Sequence, residues 1–543
     1  MNYLTEINQL LHNNGINERH KIFVNLIKDY LHKTEYENIS IELKKTIFNI
    51  FDKIDFNNKD ITQKIFYTFG NKFLQKNLDQ YYTPYTIGEF INNLLLPNKT
   101  ILEPACGTGD FIINYNGKKI LYDIDKNACI LCDLNYTLNN VKNYTIENLN
   151  SLELSKCEKV DYIVTNPPFG QKTIITDKTI LERYELGKNK KKQEIAILFI
   201  EFCLKLLKKD GILFIILPTG YNGNKTKIHT ELREYILNND YRILGLLYLP
   251  CNTFKRSGTG VNTSIWIIQR TTQKINEIFI KNINEIGYVL NKKNTPVKYK
   301  VDKTTGDFIL DNNNNKIIVN DLINIQNQFM YYIKNNNIKN LKISTLDSDL
   351  LYEYVLYDNI KKSYNFNIRF YLDIYKNAIK NLKYKIKDFA FICPDKYTNI
   401  NKNKLYKYIE ISNISTPFYN VKELYGWNLP SRATYKVKKN DILVSRLEGN
   451  ISYTIISEEN TDNIIVSNGL CIIRLKDINN IEKIIECISS DYFKIQHFAY
   501  TSGSIMASIS INDFSNIYIS EKYDKIKNKK LIEFIHFYHN LHK

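Results

Sequence analysis

Apolar positions recur at three- and four-residue spacing between residues 17 and 73 (Ile22, Phe23, Leu26, Ile27, Tyr30, Leu31), which predicts a small helical domain over residues 1–77. From Leu78 the pattern changes to short β-branched runs that alternate with helical stretches. The runs are Thr100-Ile101-Leu102-Glu103, Lys119-Ile120-Leu121-Tyr122, Val160 to Thr165, and Gly211 to Leu217; residues 126–139 and 194–207 carry the helical period. Alternation at this spacing predicts a parallel, doubly wound α/β sheet, closed by an antiparallel pair at 242–249 and 261–269. Residues 271–340 turn polar, with asparagine runs at 312–315 and 335–337 that read as surface loops. An α/β domain over 78–340 with a polar C-terminal extension follows. Short alternating segments beyond it (Asp441-Ile442-Leu443-Val444-Ser445, Ile464-Ile465-Val466, Leu470-Cys471-Ile472-Ile473) predict an α+β domain over 341–522. Residues 523–543, with Leu531, Phe534, Ile535, Tyr538 and Leu541, read as a closing helix.

Length and charge sharpen this reading. With 543 residues the chain is long for one core, and 43% hydrophobic content argues for a folded protein. A net charge of +17 suits a polyanionic partner. Nine cysteines, irregularly spaced and mostly within apolar runs, form no disulfide framework, so a reduced, intracellular setting is expected. Cys129 and Cys132 form a C-x-x-C without a second pair at metal spacing and read as core thiols, so no metal is expected. No basic leader and no run of about eighteen apolar residues occurs, so a soluble, cytoplasmic protein without membrane contact is expected.

Candidate chemistry begins at Asn166-Pro167-Pro168-Phe169, directly after the run 160–165. Two prolines force the chain out of the sheet in a rigid, extended turn. That turn holds an amide, a carbonyl and an aromatic ring in fixed relation, a platform for a flat, amine-bearing ring. Upstream, the first strand runs into Glu103-Pro104-Ala105-Cys106-Gly107-Thr108-Gly109, where glycines let the backbone approach a ligand at the carboxyl edge of the sheet. Ile112 and Ile113 stand where a dinucleotide site wants its third glycine, and no G-x-x-x-x-G-K-[ST] occurs. Asp123, followed by Ile124, ends the second strand, where a carboxylate accepts from both hydroxyls of an unphosphorylated ribose. Glu103 would face an ammonium. Together these residues favour a nucleoside with an amino-acid tail, S-adenosyl-L-methionine.

Tyr81-Tyr82-Thr83-Pro84, the Glu103–Gly109 motif and Asn166-Pro167-Pro168-Phe169, in that order, resemble the modification subunit of type I restriction-modification systems, an adenine-specific DNA methyltransferase. The resemblance covers residues 1–330 and implies a Rossmann-like, S-adenosylmethionine-dependent methyltransferase sheet. It implies that Tyr81, Tyr82, Thr83 and Pro84 cover the methionine end of the cofactor, that the glycine motif forms its floor, and that Asn166 to Phe169 hold the target base. Where the family places an acid after the third strand, this chain offers Asn150, whose amide can still accept from the cofactor's adenine. Asn166 Oδ1 and the Pro167 carbonyl would accept the two amine hydrogens of a flipped-out adenine, with Phe169 stacking on the base.

Phe366-Asn367-Ile368-Arg369, 440–446, Val466-Ser467-Asn468-Gly469 and 501–510 resemble one target-recognition domain of type I specificity subunits. That implies modification and specificity fused in one chain, with double-stranded DNA as partner and Arg432, Lys436, Lys438, Lys439 and Arg446 as candidate contacts. A split or palindromic site would need a second copy, and a separate specificity or nuclease subunit is compatible with the chain. Two rival readings stay open: a methyltransferase that presents RNA or protein to the same pocket, and a catalytically silent DNA-binding specificity protein.

Overall fold

A computed structural model describes residues 3–31, 35–56, 65, 68, 83–154, 157–169, 173–255, 260–290, 296–345, 350–503 and 507–520. The chain divides into two compact units, Met1–Phe366 and Asn367–Lys543.

The first unit is built on a mixed nine-stranded sheet. Its strands are β1 (Thr100–Glu103), β2 (Lys118–Asp123), β3 (Tyr144–Asn148), β4 (Val160–Thr165), β7 (Leu207–Pro218), β8 (Tyr241–Tyr248), β9 (Thr263–Arg270), β10 (Glu277–Asn282) and β11 (Tyr354–Leu356); a separate hairpin joins β5 (Ile174–Ile175) to β6 (Gln193–Glu194). The order is β11-β10-β8-β9-β7-β4-β1-β2-β3. From β3 to β7 neighbours run parallel, whereas β9 is antiparallel to both β7 and β8. The inner parallel strands β1, β4 and β7 are buried on both faces, so Ile212 to Leu217 form one apolar run without alternation, whereas β3 at the edge is largely exposed. The chain winds outward from β1 through β2 to β3 and returns on the other side of β1 with β4. That reversal opens a crevice at the carboxyl ends of β1 and β4.

Helix Lys126–Leu138 starts on Asp125, whose side chain accepts from Asn127 N. It buries Cys132 and Tyr136 against the sheet and offers Leu131 and Leu134 to a second apolar cluster. That cluster belongs to helices Tyr3–Asn13, Arg19–Tyr30 and Ile41–Phe51, so the N-terminal helices pack on the outer face of helix Lys126–Leu138.

The polar extension expected at 271–340 contributes structure to the sheet. β10 pairs parallel with β8, and helix Leu322–Asn335 buries Leu322, Ile325, Phe329, Tyr332 and Ile333 in the main core. β11 pairs with β10 beyond the expected boundary at 340, and the unit ends at Phe366. The asparagines at 335–337 close a helix, with Asn336 as its C-cap and Asn337 at φ 51°.

The second unit carries two four-stranded sheets. One orders Ala390–Ile392, Leu470–Leu475, Ile442–Ser445 and Tyr453–Ile455; the other orders Lys422–Tyr425, Leu405–Ile409, Ile464–Ser467 and Ala433–Lys436. Helices Ile481–Ser489 and Asp491–Tyr500 pack on the same core, which gives an α+β unit. The closing helix expected at 523–543 lies outside the described residues.

Candidate active site

At the carboxyl ends of β1 to β4 the first unit encloses a cavity of about 200 Å3. Glu103, the last residue of β1, is 3% exposed and lines it. Its Oε2 is buried and makes no hydrogen bond among the described residues. Burial, helped by the nearby charges of Asp110 and Asp123, pushes its carboxyl well above the usual range. A buried carboxylate oxygen with no donor is the counterpart that a cation would satisfy.

Asp123 ends β2 and holds two turns. Its Oδ2 accepts from Gly107 N (2.8 Å) and its Oδ1 from Asp125 N (2.8 Å). Burial raises its pKa to about 6, against the opposing effect of these backbone donors. Gly107 sits at φ 53° in the turn that brings Pro104, Ala105, Cys106 and Gly107 to the cavity wall. The other half of the motif faces away, which corrects its assignment to the cofactor. Thr108 is fully buried and donates to Asp110, while its carbonyl accepts from Asn135 Nδ2 (2.9 Å). Gly109, at φ 74°, packs on helix Lys126–Leu138, and a Cβ there would stand 2.4 Å from Cys132 Sγ and 2.7 Å from Tyr136 Cε2. Gly109→Ala is therefore expected to destabilise the unit by about 2–4 kcal/mol, from left-handed strain plus overpacking. Equilibrium denaturant unfolding measures it.

Asn150 follows β3 and caps the short turn Ser151–Glu153, accepting from Leu152 N (3.2 Å) and donating to Glu153 Oε1 (2.5 Å). It lines the cavity with one amide end committed to each of these local bonds. Ser151 Oγ donates to the Pro104 carbonyl (2.6 Å) and ties this turn to the glycine motif. Ile124, Leu149 and Leu152 give this part of the wall an apolar lining.

Beyond β4, Asn166 and Pro168 line the cavity. Asn166 Nδ2 donates to Thr83 Oγ1 (3.3 Å), so the Thr83 segment and the double-proline turn meet through side chains. Thr83 lines the cavity; Pro84 is the N-cap of helix Tyr85–Leu94 and does not. Tyr81 and Tyr82 lie outside the described residues. Phe169 is 1% exposed and absent from the cavity wall, so the expected stacking face is closed in this conformation.

Several wall residues escaped sequence reasoning. Asp110 and Phe111 follow the glycine motif, and Ile195 and Phe199 come from the first turns of helix Ile195–Leu206. Ile195 N donates to the Thr173 carbonyl (3.0 Å), which joins that helix to the strand following the double-proline segment. The i, i+4 spacing of Ile195 and Phe199 was the available signal, since such residues share a helix face.

The charged candidates of the second unit are only partly gathered. A groove of about 780 Å3 is lined by Arg432 and Arg446 together with Glu410, Ser412, Asn450 and Asn468. Arg432 pairs with Glu410, while Arg446 donates to the carbonyls of Ile509 (2.8 Å) and Asn468 (2.7 Å) and braces the groove. Lys436, Lys438 and Lys439 lie off the wall. Lys436 stands over the Tyr397 ring (4.9 Å), and Lys439 pairs with Glu459. No described helix is long and apolar enough to cross a membrane.

The sequence model of the family described as N-6 DNA Methylase matches residues 57–344. The methylase subunit of the type I restriction enzyme EcoEI of Escherichia coli is 26% identical over 290 residues, 48% of this chain and 57% of that protein. A type II restriction enzyme and methyltransferase of Methanocaldococcus jannaschii is 24% identical over 266 residues, 47% of this chain and 19% of that protein. The chain thus spans little more than half of the first relative and a fifth of the second. A solved type I restriction-modification methyltransferase subunit of Streptococcus thermophilus aligns over 68% of this chain and 79% of its own, at 16% identity and a TM-score of 0.43.

Proposed function

Because the chain belongs to the N-6 DNA methylase family, we propose that it transfers a methyl group from S-adenosyl-L-methionine to the N6 amino group of a flipped-out adenine in double-stranded DNA, within a restriction-modification system. The observation that carries this reading is one cavity bordered by Glu103, Asp123 and Asn166, with Asn166 tied to Thr83. The donor set fits the cofactor. Glu103 Oε2 is the acceptor for an ammonium, Asp123 for ribose hydroxyls, and Ile124 with Leu152 flanks an adenine whose amino group Asn150 Oδ1 can accept through its second lone pair. When bound, the cofactor supplies an electrophilic methyl on a sulfonium, a leaving group that needs no further activation.

The chain's own task is to position the amine. Adenine's exocyclic nitrogen is a poor nucleophile because its lone pair is delocalised into the ring. Asn166 Oδ1 and the Pro167 carbonyl accept its two hydrogens and bias it toward a tetrahedral form with the lone pair directed at the methyl. Pro168 supplies the apolar edge beside the base, and stacking by Phe169 requires its ring to leave the core as the base enters. Flipping the base costs a few kcal/mol, which stacking partly offsets.

The second unit is proposed as the target-recognition domain, with the Arg432–Arg446 groove as its readout surface. Arg432 is 57% exposed and can exchange Glu410 for a base edge or phosphate. Arg432→Ala is expected to weaken binding to target DNA by about 1–3 kcal/mol and leave cofactor affinity unchanged, as read by fluorescence anisotropy and calorimetry. A palindromic site would recruit a second copy, and a nuclease would come from a separate subunit.

The test of the whole reading is incubation with mixed-sequence DNA and labelled cofactor, followed by mapping of the modified bases. Label at adenine N6 within a defined sequence is expected. Label only in RNA or protein, or no cofactor binding at all, overturns it.

A further inference from the structure

The opposite edge of the same sheet holds a second concavity. The entries to three neighbouring parallel strands, 98–100 leading into β1, 116–119 leading into and opening β2, and 140–143 before β3, border a cleft of about 580 Å3. Lys99, Lys118, Lys119 and Lys142 line it, and no Asp or Glu does. Neutral donors from Asn98, Thr100, Asn116, Asn140 and Asn143 share the wall.

Lys119 is the anomalous member. It is 3% exposed, yet among the described residues its ammonium makes a single long hydrogen bond, to the Gly117 carbonyl at 3.5 Å, and no ion pair. The neighbouring cations differ. Lys118 pairs with Glu158 at 3.1 Å, and Lys142 is exposed to water. Burial pushes the Lys119 amine below its ordinary value, as expected of a cation without a counter-charge. A buried ammonium keeps its charge at a cost that an anion beside it would offset. Lysines near helix C-termini are also favoured by the helix dipole, and helices Tyr85–Leu94 and Lys126–Leu138 both end toward this edge. That explanation suffices for exposed Lys142 but leaves buried Lys119, with one long hydrogen bond among the described residues, unaccounted for.

We propose that the cleft at the amino ends of β1, β2 and β3 is a phosphate-binding site, in which Lys119 forms the floor and Lys99 and Lys142 the rim. A lysine ammonium is a compact point charge suited to a tetrahedral oxyanion, and the surrounding amides supply neutral donors. The same chemistry is offered by a free phosphate and by a phosphate of a DNA backbone. The site lies across the sheet from the methyl-transfer cavity, so its test is independent of that activity.

Amine acylation of the full-length chain, read residue by residue by mass spectrometry, reports whether the accessible rim lysines Lys99 and Lys142 become covered. Inorganic phosphate and a short duplex of random sequence are titrated separately, each against chloride at matched ionic strength. Saturable protection of Lys99 and Lys142 by phosphate alone identifies a free phosphate as the ligand; their protection by duplex at concentrations where phosphate gives none identifies the DNA backbone. Lys119→Met is expected to lower affinity for the protecting ligand at least tenfold. Lys142→Gln, an exposed change that leaves folding intact, is expected to lower it severalfold, with cofactor affinity unaltered. Equal protection by chloride, protection by neither probe, or unchanged affinity in both variants overturns the proposal and leaves these lysines as complements to helix ends.

Discussion

Asn166→Ala is expected to lower methyl transfer by about 10²- to 10³-fold or more in kcat, the loss seen when one preorganised polar group is taken from a reacting centre. Cofactor affinity should change little. The geometry explains the split. Asn166 stands immediately beyond β4, with Pro167 after it, and its Nδ2 is anchored on Thr83 Oγ1 at 3.3 Å. The carboxylates assigned to the cofactor, Glu103 and Asp123, sit at the ends of β1 and β2 and owe nothing to that amide. Removing it deletes the proposed acceptor for the target amine, while the wall assigned to the methyl donor stays. Single-turnover methylation and titration calorimetry of the same preparation measure the two quantities. Full activity in the variant would sink the assignment of Asn166; loss of cofactor binding in parallel would move it to the cofactor wall.

The parts of this site that could be read from the chain are those where one residue's position follows from the strand it ends. β1, β2, β4 and β7 are buried on both faces and so appear as unbroken β-branched runs, and Glu103, Asp123 and Asn166 fall at or just after their ends. A motif string, by contrast, does not say which way a turn faces. Gly107 and Gly109 stand two residues apart, yet one holds Asp123 and the other packs on Cys132 and Tyr136. Composition misled further on. Helix Leu322–Asn335 keeps its apolar period at 322, 325, 329, 332 and 333, but asparagine and glutamine between those positions gave the segment a loop-like character. β10 and β11 are short and flanked by polar residues, so the pattern of runs ends two strands before the sheet does and places the boundary before Phe366. Ile195 and Phe199 read as crossover-helix core because their i, i+4 spacing shows a shared helix face but not that this face reaches the cavity. Phe169 shows the converse: a motif residue expected at the site is closed into the core.

Glu103→Gln should separate binding from stability in opposite directions. The carboxyl lies almost wholly buried beside Asp110 and Asp123, and its folded pKa stands well above the unfolded value. A raised carboxyl pKa means that the folded, cofactor-free chain holds its proton more tightly than the unfolded chain. Its favourable contribution is then fully present below the unfolded pKa and is lost as pH rises through the folded value. Asp123 acts in the same sense, its contribution fading between its unfolded value and about 6. The cofactor-free wild-type protein should therefore lose thermal stability from these groups as pH is raised from mild acid to neutrality. Glutamine removes the buried charge, so the cofactor-free variant is expected to melt at higher temperature than wild type at pH 8, with the difference shrinking toward pH 4.5. Cofactor binding moves the other way. The ionised carboxylate is the proposed partner of the cofactor's ammonium, and loss of one member of a buried pair costs about 3–5 kcal/mol, a weakening of about 100-fold or more. Wild-type affinity should also fall as pH drops through the Glu103 pKa, because binding must first release that proton, and the variant should lack this dependence. Calorimetric titration across pH 5 to 8, with melting curves of the cofactor-free forms, tests both halves. Wild-type affinity in Glu103→Gln would remove Glu103 from the cofactor site, and a lower melting temperature at pH 8 would show that its carboxylate is paired in solution.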